Sequence, residues 1–222
     1  MTDTLTAPRP VLSAAPASRS AARWTVVGGV VAGPLFLAAG LVQGFARDGF
    51  DFTRNAISQL ALGDAGWIQT ASFVLTGTLL IAGAAGLRRA LLGGPGGTWG
   101  PALIGVFGLS FWLAAAFPAD AGAGFPAGAP EATVMSAHGT VHMAAGMLGY
   151  LALCAVFLVL ARPLTSRGLR GWAVASRVVP VAVLAGFMAS AVSVLAFTAG
   201  AGLGLLWLSV VTARLAFVPA DR

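Results

Sequence analysis

Six apolar stretches alternate with short polar connections along this chain. They run from Trp24 to about Ala46, from about Gly66 to Leu87, from Trp99 to Phe117, from about Val134 to Ala161, from Ala173 to Phe197, and from about Gly200 to Phe217. A membrane-spanning helix needs about 20 mostly apolar residues, and the runs meet that length, the last only narrowly. The pattern predicts an all-α fold, a polytopic bundle of six transmembrane helices over residues 23–218. Residues 1–22 are rich in Ala, Pro, Ser and Thr. They bury too little apolar surface to order themselves, so they are read as a disordered cytoplasmic tail. Pro34 and Pro180 fall inside the first and fifth runs, where they predict kinks that neighbouring helices satisfy.

Composition agrees. Charged residues make up 9% of the chain and hydrophobic residues 58%, whereas soluble domains carry about a quarter charged residues. Mean hydropathy is +0.88. The 30 glycines suit close helix approach, with Gly29-x-x-x-Gly33, Gly40-x-x-x-Gly44 and Gly200-x-x-x-Gly204 as candidate packing faces. Cys154 is the sole cysteine, which excludes an intrachain disulfide and reads as a small buried hydrophobe.

The net charge of +6 comes from 13 basic residues, all arginine. Arg9, Arg19, Arg23, Arg88, Arg89, Arg162, Arg167, Arg170, Arg177, Arg214 and Arg222 fall on one side of a six-span topology. The other side holds Arg47 and Arg54 with Asp48, Asp51, Asp64, Asp120 and Glu131. The positive-inside rule then places both termini in the cytoplasm and the chain in the cell membrane. No basic run with interleaved aromatics is present, which excludes nucleic acid as a partner.

Three segments on the acidic side carry the candidate chemistry. The first connection, ARDGFDFTRNAISQLALGDAG, is too polar to span and too apolar for a plain loop. It reads either as an interfacial amphipathic helix or as a cap that points Asp51, Arg54, Asn55 and Ser58 into a cavity. The third span ends in AAAFPADAG, with Asp120 just outside it, and the fourth opens on AHGTVHMAAG. His138 and His142 are the chain's two histidines. Four apart, they share a helix face and lie about 6–12 Å below the helix start. Three readings stay open for them: a metal pair completed by Asp120, an acid–base or ligand contact, and a structural polar network. The glutamate that follows the first histidine in zinc helices is replaced by Gly139.

The stretch from Asp51 to Leu91 resembles the start of a prokaryotic membrane family, domain of unknown function 998. An Ile-Ser-x-Leu-type motif is matched by Ile57-Ser58-Gln59-Leu60, a Phe-Pro-x-Asp motif by Phe117-Pro118-Ala119-Asp120, and a Gly-x-x-His-type motif by Gly139-Thr140-Val141-His142. The resemblance spans residues 24–217. It implies a six-helix integral membrane protein whose three acidic-side motifs belong together, and it implies no reaction.

Two classes of function follow. The first is an integral membrane protein with a polar outer-facing pocket, holding a small apolar or lipid-like molecule beside Asp51, Arg54 and Asn55. The second is a membrane-embedded enzyme acting on a lipid-like or apolar metabolite. There Asp120, His138, His142 and Ser58 are the catalytic candidates. They act either around a divalent metal such as zinc, held by His138, His142 and Asp120, or as a His/Asp acid–base pair. Beyond these, the partner common to both is the lipid bilayer.

Overall fold

A computed structural model describes the backbone of residues 16–217 and the side chains of residues 24–217. The tail at residues 1–15 and the side chains of Arg9, Arg19, Arg23 and Arg222 lie outside the described residues. From Pro16 the described backbone is helical.

The described helices are α1 (Pro16–Ala46), α2 (Gly66–Ala90), α3 (Trp99–Ala116), α4 (Ala137–Ser166), α5 (Arg170–Met188) and α6 (Val194–Phe217). Each contains a stretch long and apolar enough to cross a membrane. Trp67 and Trp99 stand exposed at helix starts, and Trp24 stands exposed where the apolar span of α1 begins, positions where amphipathic rings suit a membrane–water boundary. Val42, Leu75, Val178, Val181 and Leu206 are exposed along the helix sides.

Successive helices pack on one another, and α6 returns to α1, which closes a ring. Leu153, Val156, Phe157 and Leu160 of α4 are fully buried and form part of its core.

Glycines set the helix spacing. A Cβ on Gly29 of α1 would stand 2.8 Å from the Gly83 Cα of α2. Gly77 of α2 meets the Gly108 carbonyl of α3 at 2.6 Å in the same sense, and Gly186 of α5 meets Gly200 of α6 at 3.1 Å. The backbones therefore touch at these crossings, which is how helices gain packing contact without a hydrophobic drive between them. The three glycine pairs read from sequence are all packed, but not as three separate faces. Gly29 meets α2 and Gly33 meets α6, whereas Gly40 and Gly44 receive Ile57 and Phe52 of the following connection.

The fifth span does not reach Phe197. It stops at Met188, a tight turn spans Ala189–Ala191, and α6 begins at Val194. The Ser193 hydroxyl accepts the Ala196 N–H at 3.2 Å, as a helix-start serine does. Hydropathy alone hides this break, because Val192 and Val194 flank it. The fourth helix begins at Ala137, capped by Ser136, slightly later than its apolar run. Cys154 is buried and unpaired.

The glycine crossings make a direct prediction. Gly83→Val lowers unfolding stability in detergent by about 1–3 kcal/mol, because the added methyls meet α1 backbone. Gly105→Ala, at a glycine with open space around it, leaves stability unchanged or slightly raised.

Candidate functional site

The α1–α2 connection folds over the bundle as a cap rather than lying as an amphipathic helix. Its only regular piece is a short 3-10 turn, Ile57–Ala61, with Ile57 and Leu60 buried. Arg47 holds its far end, donating to the Leu60 carbonyl at 3.3 Å and the Leu62 carbonyl at 2.7 Å. The Arg47 guanidinium also lies 5.3 Å from the centre of the Phe125 ring, a cation–π arrangement that joins the cap to the α3–α4 connection.

Two amides complete that join. Asn55 is fully buried. Its Oδ1 accepts the Asp51 N–H at 2.9 Å and its Nδ2 reaches the Ala123 carbonyl at 3.4 Å. Gln59 accepts the Ala56 N–H at 3.1 Å and donates to the Gly122 carbonyl at 3.3 Å. Arg54 forms an ion pair with Glu131 on the exposed surface. Asp51 accepts the Thr53 hydroxyl at 2.7 Å and the Thr53 N–H at 2.8 Å. Those hydrogen bonds hold its carboxyl below its ordinary pKa.

A second clasp ties α3 to α4. Phe117 closes α3 in an extended conformation, φ −124° and ψ 90°, as a residue before proline does. Its carbonyl leaves the helix and receives His142 Nδ1 at 2.9 Å. Asp120 accepts the Ser136 hydroxyl at 2.6 Å and the Ser136 N–H at 2.9 Å. The same hydroxyl accepts the Gly139 N–H at 3.0 Å, so it caps the start of α4. A Cβ at Gly139 would fall on the Asp120 carboxylate, so only glycine lets the carboxylate sit there. The Ser136 hydrogen bonds, hydroxyl first, hold Asp120 below its ordinary pKa.

Beneath the cap lies a cavity of about 140 Å³. Its walls include Phe36 of α1, Phe73 of α2, Phe107 and Phe111 of α3, and Phe197 of α6, with Ile57 and Ser58 of the cap as part of the lining. His142 and Tyr150 of α4 and Thr198 of α6 supply further polar groups. The Tyr150 and Thr198 hydroxyls are buried and have no hydrogen-bond partner. Tyr150 stacks on Phe197 with ring centres 5.5 Å apart.

The seven residues read from sequence as one pocket therefore separate. Ser58 and His142 line the cavity. Asn55 and Asp51 build the cap, Arg54 lies on its surface, and Asp120 clasps Ser136. His138 is exposed, its ring 5.7 Å from that of Phe117. Asp51 and Asp120 pair within their own connections, whereas Arg54 and Asn55 pair across to the α3–α4 connection.

The proposed metal set does not assemble. No group of three His, Cys, Asp or Glu side chains converges among the described residues. His142 Nδ1 is engaged by Phe117, and both Asp120 oxygens are engaged by Ser136. Nor does Asp120 hydrogen-bond either histidine among the described residues. Tyr150 and Thr198 are the cavity groups that sequence reasoning missed. Thr198 reads as one more interhelical hydrogen-bonder, and the signal for Tyr150 was its being the sole tyrosine in the chain.

Residues 30–220 match the family described as "protein of unknown function (DUF998)". The chain belongs to this family. No curated protein and no solved structure matches it. As a family member it is a multi-pass integral membrane protein of the cell membrane. The three motifs that carried the resemblance meet at one end of the bundle: Ile57 and Ser58 line the cavity, Phe117 binds His142, and Asp120 packs on Gly139.

The Asp120 clasp gives a pH prediction. A carboxylate with a lowered folded pKa contributes stability above its unfolded value, and loses it as pH falls through the folded one. The α3–α4 clasp is therefore intact at neutral pH and weakens below about pH 4. Thermal unfolding of the protein in detergent, followed from pH 7 to pH 3, shows a smaller acid loss in Asp120→Asn than in the parent.

Proposed function

We propose that the protein is a binding protein, holding a small apolar or lipid-like molecule in the cavity beneath its cap. The observation that carries this reading is the cavity itself. Aromatic walls line it, and two buried hydroxyls in it lack partners. Sites for small molecules are built this way, mostly apolar with a few convergent polar groups. A 140 Å³ space matches a volume that takes a single aromatic ring of about benzene size. The occupant is therefore a small ring, or the end of a longer apolar molecule.

The enzyme reading draws its support from Ser58 and His142 sharing the cavity lining. Binding is favoured over it because Asp120 is engaged outside the cavity by Ser136 and orients neither residue.

The capped end is proposed to face outward. The opposite end carries Arg88, Arg89, Arg162, Arg167, Arg170 and Arg177, which the positive-inside rule keeps in the cytoplasm. In a Cys154→Ala background, Asp64→Cys reacts with a membrane-impermeant thiol reagent on intact cells, and Arg89→Cys reacts only after lysis. The reverse pattern inverts the orientation.

Binding is tested with a plug. Gly146 lines the cavity, and a Cβ there meets nothing within 4 Å. Gly146→Leu is expected to fold and to abolish saturable binding of toluene by the protein in detergent. Equal toluene uptake by both proteins would sink the binding reading.

A further inference from the structure

The hydrogen-bonding character of the cavity narrows its ligand. His142 Nδ1 faces the Phe117 carbonyl at 2.9 Å. A carbonyl only accepts, so Nδ1 carries a proton, and in the neutral tautomer with that proton Nε2 is an acceptor. That nitrogen has no partner among the described residues. The Tyr150 and Thr198 hydroxyls, also unpartnered, can each donate and accept.

Ligand classes can be sorted against this set. A ketone, ether or ester only accepts, so it answers a hydroxyl and leaves Nε2 without a donor. A pure hydrocarbon answers none of the three. A carboxylate or an ammonium brings a charge into a wall that contains no Arg, Asp or Glu, and unpaired charge is strongly disfavoured there. A neutral O–H group has both capacities: its proton suits Nε2, and its oxygen suits a Tyr150 or Thr198 hydroxyl. The Phe36, Phe73 and Phe111 rings, with centres 5.1 to 5.9 Å apart, supply the apolar wall for the rest of the molecule.

Building on the binding reading above, we propose that the cavity takes a neutral hydroxyl-bearing apolar molecule, an alcohol or a phenol. The hydroxyl is held among His142, Tyr150 and Thr198, and the hydrocarbon part lies against the phenylalanines.

The test compares 4-methylphenol, toluene and benzoate on the full chain in detergent. Gly146→Leu, with Ala201→Leu as a second plug, supplies the background from micelle partition. The expected result is saturable binding of 4-methylphenol at least about fivefold tighter than toluene, the worth of one net hydrogen bond, with benzoate at background. Tyr150→Phe or Thr198→Val then brings 4-methylphenol down toward toluene and leaves toluene unchanged. Equal affinity for 4-methylphenol and toluene, both lost on plugging, overturns the hydroxyl assignment while the binding reading stands. All probes at the plugged background overturn both.

Discussion

Backbone contact at glycine crossings is the constraint on which the structure depends. Lipid gives apolar helices no reason to leave it for one another, so the helices must gain from close packing. Gly29 against Gly83, Gly77 against Gly108 and Gly186 against Gly200 provide it on three sides of the ring. Elsewhere small residues meet larger ones: Gly33 meets the Leu205 carbonyl and Gly204 meets Leu153. Phe36, Phe73, Phe107, Phe111 and Phe197 line the cavity beneath the cap.

The cap answers a second constraint. Helix ends expose backbone groups that lipid cannot satisfy. At this end the protein satisfies them from its own side chains. Ser136 starts α4, His142 takes the carbonyl that Pro118 frees at the end of α3, and Arg47 takes two carbonyls of the α1–α2 connection. Most of the polar residues at this end are thereby consumed in holding the two connections together. What remains free is a small set that faces inward, and this remainder is what gives the cavity a chemical character.

The bundle was legible in the sequence because lipid imposes length and charge rules that survive in the residue pattern. The spans, the Pro118 stop and the placement of the three motifs on one side follow from such rules, whereas their belonging together was implied by the family resemblance. The position of the α5–α6 break was not legible, since Ala189–Ala191 and Ser193 offer too little polarity to interrupt an apolar run. The site was legible only in part. His142 and Ser58 stand out as polar residues in apolar surroundings, and both line the cavity. Asp51, Arg54 and Asp120 stand out equally, yet they pair within or between the two connections. Sequence reveals which groups are polar; which of them are already satisfied is a property of the folded loops.

The most direct measurement is an experimental density map of the protein purified from its native membrane. The expected result is non-protein density bounded by Phe36, Phe73, Phe111, His142 and Tyr150, beneath Ser58. Side chains closed over that space, with the Tyr150 and Thr198 hydroxyls bonded to the protein itself, would contradict it.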